Sequence, residues 1–160
     1  MTQHRLLDKT DRKLLQLLQE QGRIKRGELA EAVKMSIPSV SERIKRLQNA
    51  GIIQGYHTIL DAQTVGLTVM AFVTLQLDSS KNYPGMLEKA NAESRVLECH
   101  AITGAGSHIL KVCAQSTTDL EELLSAIQSW PGVTQTRTHV ILSSPKVTTT
   151  FPLEHLEPPE

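Results

Sequence analysis

The stretch from Ser36 to Ala50, SIPSVSERIKRLQNA, constrains this chain more than any other. Val40, Ile44 and Leu47 fall at i, i+4 and i+7 and make one apolar stripe along a helix. Lys45 and Arg46 lie away from that stripe, and Arg43 lies on its flank. Ser36 is placed to cap the helix, and Pro38 is tolerated in a first turn. Asn49-Ala50-Gly51 supplies the stop. Such a helix seats on a core with one face and offers serines and cations to a partner with the other. Taken alone, a helix of this kind is more often an ordinary solvated surface, so the flanking sequence decides.

Upstream, Asp8 is placed to cap a first helix, and Asp11 suits its positive end. Leu14, Leu15, Leu17 and Leu18 form its broad apolar face, and Gly22 ends it. A second helix runs from about Lys25 to Lys34, burying Leu29, Ala30 and Val33. Met35-Ser36 then turns into the third. Two short helices, a tight turn and a basic second member make a helix-turn-helix, whose last helix enters the major groove of double-stranded DNA. Ser36, Ser39 and Glu42 are short enough to approach base edges, whereas Arg43 and Arg46 reach guanine edges or phosphates. Lys45 suits a phosphate, as do Arg23, Lys25 and Arg26 nearby. Charge agrees with this division. Residues 1–57 carry 11 Lys and Arg against 6 Asp and Glu, and residues 58–160 carry the reverse balance, 6 against 11.

The second half changes period. Ile52 to Leu60 has β character, and Asp61 to Gly66 reads as a turn. Thr68–Leu77, Arg95–Thr103, His108–Gln115 and Val133–Leu142 read as strands, with helices at Pro84–Ala92 and Thr118–Ser129. That order, β-α-β-β-α-β, is the ferredoxin-like split unit, and it gives an α+β chain. The expected domains are a helix-turn-helix at 1–53, a linker and hinge strand at 54–66, a ferredoxin-like effector-binding and oligomerisation domain at 67–144, and a tail at 145–160. A four-stranded sheet with helices on one face leaves the other bare, and a second copy covers it economically. The turn Thr103-Gly104-Ala105-Gly106-Ser107-His108 is the best place for a small ligand, because glycines let a backbone approach closely and leave amides for a carboxylate. Hairpin glycines alone are also a sufficient reason for it. Thr134, Thr136 and Thr138 alternate along the last strand and offer hydroxyls to a pocket, although a β-branched strand needs no such reason.

Leu7-Asp8, Asp11, Leu17-Leu18-Gln19, Gly22-Arg23, Glu28-Leu29-Ala30, Ser36, Arg43-Ile44-Lys45-Arg46-Leu47 and Gly51-Ile52-Ile53-Gln54-Gly55-Tyr56 together resemble the Lrp/AsnC, or feast/famine, transcriptional regulators. The likeness runs closely over 7–66 and more loosely to about 143. It implies a winged-type helix-turn-helix and a ferredoxin-like domain that pairs into a dimeric α/β-barrel. It further implies a homodimer, assembly up to an octamer of four dimers, a small-molecule effector such as an amino acid bound at the glycine loop between dimers, and a cytoplasmic, nucleoid-associated place in a prokaryote. The chain departs from the family in one respect. Relatives often carry Asp where Ser107 stands and an aromatic where His108 stands. Ser107 has no charge to pair with an amino group, so the effector's identity stays open.

Two other classes remain beside the regulator. One is a tetrapyrrole decarboxylase-like enzyme on the same layout, which the intact Arg43-Ile44-Lys45-Arg46 run and the low aromatic content argue against. The other is a sensing module that binds no DNA. Two cysteines make no disulfide framework, and neither Cys99-His100 nor Cys113 has metal-site spacing, so no cofactor and no metal are expected. No leader and no long apolar run point to a membrane.

Overall fold

The computed structural model describes residues 7–156. Their contacts divide into two units. The first holds the described residues up to Ile59 and those from Lys146 onward; the second runs Leu60–Pro145.

The first unit is built from α1 (Lys9–Glu20), α2 (Arg26–Ala32) and α3 (Ile37–Asn49). Helix α1 opens with a reciprocal capping box. The Asp11 amide donates to Asp8 Oδ1 at 2.8 Å, and the Asp8 amide donates back to Asp11 Oδ2 at 3.3 Å. Ser36 caps α3 by accepting from the Ser39 amide at 3.3 Å, with Pro38 in the first turn. Leu14, Leu18, Leu29, Ala30, Val40 and Ile44 close into one core, so the apolar stripe read at Val40, Ile44 and Leu47 is the seated face of α3.

Helices α2 and α3 end in the same way. After α3 the Gly51 amide donates to Gln48 and the Ile52 amide to Leu47, with Gly51 at φ +69°. After α2 the Lys34 amide donates to Glu31 and the Met35 amide to Ala30, with Lys34 at φ +54°. Both are six-residue left-handed closures, and at Lys34 a side chain occupies a conformation that favours glycine.

Two expectations need correction here. The hinge strand expected within 54–66 is not a strand: residues 54–60 join no ladder, and Ile59 and Leu60 are 84% and 66% exposed. A strand exists only through a partner's hydrogen bonds, and β propensity alone supplies none. The segment expected as a tail at 145–160 is not a division of its own: from Lys146 it groups with the first unit. The Phe151 amide donates to Gln19 Oε1 at 2.7 Å, and Gln19 Nε2 donates to the Phe151 carbonyl at 3.2 Å. Residues 157–160 of that tail lie outside the described residues.

The second unit is the split β-α-β-β-α-β unit. Its elements are β1 (Val69–Leu77), α4 (Tyr83–Ala92), β2 (Val96–Ala101), β3 (His108–Ala114), α5 (Thr117–Gln128) and β4 (Val133–Val140). The sheet order is β2-β3-β1-β4 with antiparallel neighbours. Ala71, Val73, Leu75 and Leu77 of β1 and Leu110, Val112 and Ala114 of β3 face Met86, Ala90, Leu120, Leu123 and Ile127 of the two helices. By the two-residue alternation, Phe72, Thr74 and Gln76 point to the opposite face. There Phe72 pairs with Lys111 and His139, and Thr74 with Ile109 and Arg137.

Candidate nucleic-acid interface

Helix α3 presents its outer face as a groove lined by Met35, Ser39, Glu42, Arg43, Lys45, Arg46 and Asn49. The cations in it are not equivalent. Arg43 Nη1 donates to Asp8 Oδ2 at 2.6 Å and to Asp11 Oδ1 at 3.0 Å, and Arg46 Nη2 donates to Asp11 Oδ2. The Asp11 side chain is fully buried, whereas Arg43 and Arg46 are 25% and 56% exposed. A buried carboxylate needs charge-assisted partners, and here one oxygen takes each guanidinium. Partial burial works against the Asp8 charge, and the Asp11 amide and the Arg43 guanidinium outweigh it, holding that carboxyl below its usual range. Hydrogen bonds to Asp8 and then Asp11 push Arg43 further up.

This latch joins the first turn of α1 to the middle of α3. It gives Arg43 and Arg46 an internal role that the spacing on α3 alone does not reveal. The signal was the Asp8/Asp11 pair, whose capping role explained it too soon. Lys45 and Glu42 are exposed, and Ser39 shares a 2.8 Å hydroxyl contact with Ser36. Arg23 and Lys25 lie exposed ahead of α2, and Arg26 is its exposed first residue.

The glycine loop lies at one end of the second unit. Gly104 and Gly106 sit at φ +94° and +119°, and a Cβ on Gly106 would meet Thr74 Cγ2 at 2.4 Å. The Ser107 amide and hydroxyl both donate to the Leu75 carbonyl, at 2.8 and 3.2 Å, so this side chain is tied back to β1. His108 is 3% exposed and packs edge-on to Tyr83 with ring centroids 4.8 Å apart. Burial lowers its pKa. It fills a core position as an aromatic ring would.

A recess of about 90 Å³ opens beside the loop, lined by Thr74, Leu75, Gln76, Ala105, Gly106, Gln135 and Arg137. Of the six loop residues singled out, Ala105 and Gly106 line it, Thr103 and Gly104 are exposed, and Ser107 and His108 face elsewhere. The threonines of β4 take the helix side: Thr136 and Thr138 pair with Leu75 and Val73, and Thr136 Oγ1 accepts from Gln128 Nε2 at 3.2 Å. Thr134 donates to the Gln76 carbonyl at 3.1 Å, beside a bulge at Gln76/Leu77. Gln135 and Arg137, of the opposite parity, reach the recess. Arg137 and His139 on alternate positions were the sequence signal for that outward face. Among the described residues no group of three metal-ligating side chains is gathered, and no helix is long and apolar enough to cross a membrane.

Known proteins share both halves. A family model described as winged helix-turn-helix DNA-binding matches residues 7–54, and one described as the Lrp/AsnC ligand binding domain matches 68–151. The leucine-responsive regulatory protein of Salmonella typhimurium is 33% identical over 145 residues, covering 88% of this chain and 87% of its own. A transcriptional regulator from Neisseria meningitidis, solved as an L-Met complex, superposes with a TM-score of 0.90 at 32% identity, covering 94% of this chain and 99% of that one. A feast or famine regulatory protein from M. tuberculosis, complexed with L-methionine, reaches 0.85 at 29% identity, covering 91% and 98%.

Proposed function

This chain belongs to the Lrp/AsnC family of DNA-binding transcriptional regulators, and from that premise we propose how its own residues divide the work. Residues 7–53 bind the major groove of double-stranded DNA through α3, and 67–144 sense a metabolite and assemble. The carrying observation is the latch: α3 is held on α1 at Asp11, while Ser39, Glu42, Lys45 and Asn49 are left on its outer face. Lys45 and, ahead of α2, Arg23, Lys25 and Arg26 take phosphates. A regulator of transcription works where DNA is, which puts this one in the cytoplasm with the nucleoid.

The chain is effector-modulated rather than catalytic. The effector we favour is an amino acid, with its carboxylate on Arg137 and the loop backbone at Ala105 and Gly106. Among the described residues Arg137 makes no ion pair, and the two structures with bound methionine support an amino-acid ligand. A second copy covers the bare sheet face at Phe72 and Ile109, and two α3 helices then suit a two-fold operator. Larger assemblies add dimers. Ligand bound at the loop shifts DNA affinity by favouring one assembly over another.

Fluorescence anisotropy tests this reading. The full chain is titrated with DNA from upstream of its own gene and with random DNA, at two salt concentrations, with and without each amino acid. The expected result is a preference for upstream DNA that survives higher salt and shifts with one ligand. Equal, salt-erased binding to both would overturn it.

A further inference from the structure

Glu42 is the acidic residue of α3, and it stands in the groove on the outer face of that helix. A carboxylate there is repelled by every phosphate it approaches. On a helix it would ordinarily be neutralised by a cation at i+3 or i+4. Lys45 and Arg46 hold those positions, yet Glu42 makes no ion pair or hydrogen bond with either. Arg46 is drawn to Asp11 instead, and Arg43 to Asp8 and Asp11. The latch thus takes two of the three cations of α3 and leaves one exposed acceptor bare, between Ser39 one turn before it and Arg46 one turn after it.

We propose that Glu42 is the specificity-determining residue of this helix and that it accepts a hydrogen bond from the exocyclic N4 amine of a cytosine in the major groove. This rests on the reading of α3 as the DNA-facing helix. An ionised carboxylate donates nothing, so it can only read a base that offers a hydrogen there. Cytosine offers its amine without an adjacent ring acceptor. Adenine sets N7 beside its amine, and guanine shows two acceptors. Glu42 therefore favours cytosine and penalises DNA that lacks it, where its charge stays unpaired.

The test is selection from a random-sequence duplex pool by the full chain and by the Glu42→Ala and Glu42→Gln variants, with each pool sequenced. The wild-type pool should fix a cytosine at one position in each half-site. Glu42→Ala should lose the preference there, roughly tenfold or more in discrimination, and keep it elsewhere. Glu42→Gln should move that position toward adenine, which a carboxamide reads with donor and acceptor together. Both variants should bind random DNA more tightly, by about fivefold at low salt, because one repulsive charge is gone. Variant pools identical to the wild-type pool would overturn the proposal, as would loss of preference at every position together. Failure of the wild-type chain to enrich any sequence would instead overturn the DNA-binding reading beneath it.

Discussion

The groove on α3 and the recess at the glycine loop are built on opposite principles. The first is held by side chains: a buried aspartate grips two arginines and leaves other side chains to face outward. The second is held by backbone. Ser107 is tied to a β1 carbonyl, and Gly106 lies where a Cβ would strike Thr74. The first offers a row of donors and acceptors along a helix. The second is a small open recess of about 90 Å³ with one cation beside it. Their difference teaches what each can tolerate. Outward side chains on α3 can be exchanged to change what is read without disturbing the seat. At Gly106 the loop admits no side chain, because a Cβ there would strike β1.

The comparison breaks most sharply at Asp11. Asp11→Ala removes the capping acceptor and leaves two guanidinium groups without their buried partner, and is expected to cost about 3 kcal/mol; urea unfolding followed by helical circular dichroism measures it. Gly106→Ala should cost about 2 kcal/mol by thermal unfolding, through the Thr74 clash and the left-handed φ, against about 1 for Gly104→Ala, whose Cβ meets nothing. Arg43→Ala should lose about 1 kcal/mol of stability, since the pair is part-exposed, and keep its preference for operator over random DNA. A selective loss of operator binding in anisotropy would return Arg43 to the base-reading set. Lys45→Ala should weaken both DNAs alike and lower the salt slope by about 0.9, as one released phosphate contact requires. Lys34→Gly should raise the unfolding free energy by about 1 kcal/mol, because glycine adopts that closure without strain. Gln19→Ala should have the smallest effect, under about 1 kcal/mol, seen as faster proteolysis of the tail.

The helices and the β-α-β-β-α-β order were legible because each carries its own period. Val40, Ile44 and Leu47 could be assigned to a seated face from spacing alone, and the half-covered sheet followed from the order of strands and helices. Caps at Asp8 and Ser36 and the stop at Gly51 are local chemistry and were read as such. What escaped reading depends on residues distant in sequence. Arg43 looks like a free cation until Asp11, 32 residues earlier, is placed beside it. The segment 54–60 has strand composition and no partner to realise it. Which face of β4 meets the recess is set by its register on β1, which pairs Gln135 and Arg137 with Gln76 and Thr74, and no property of the threonines announces it. His108 entered the candidate site as the last residue of the glycine turn, and its packing against Tyr83 is visible only in three dimensions.

The clamp between Gln19 and Phe151 joins residues 132 apart, across the whole second unit. The first unit is thus interrupted in sequence by the second, and its residues from Lys146 onward are translated after that unit. A ribosome makes α1 to α3 first, but Gln19 waits for its partner until the second unit has been made. A nascent chain that has emerged only as far as the linker therefore carries α3 with its core and its Asp11 latch but without the Gln19–Phe151 clamp. Closure of the clamp therefore always follows synthesis of the second unit.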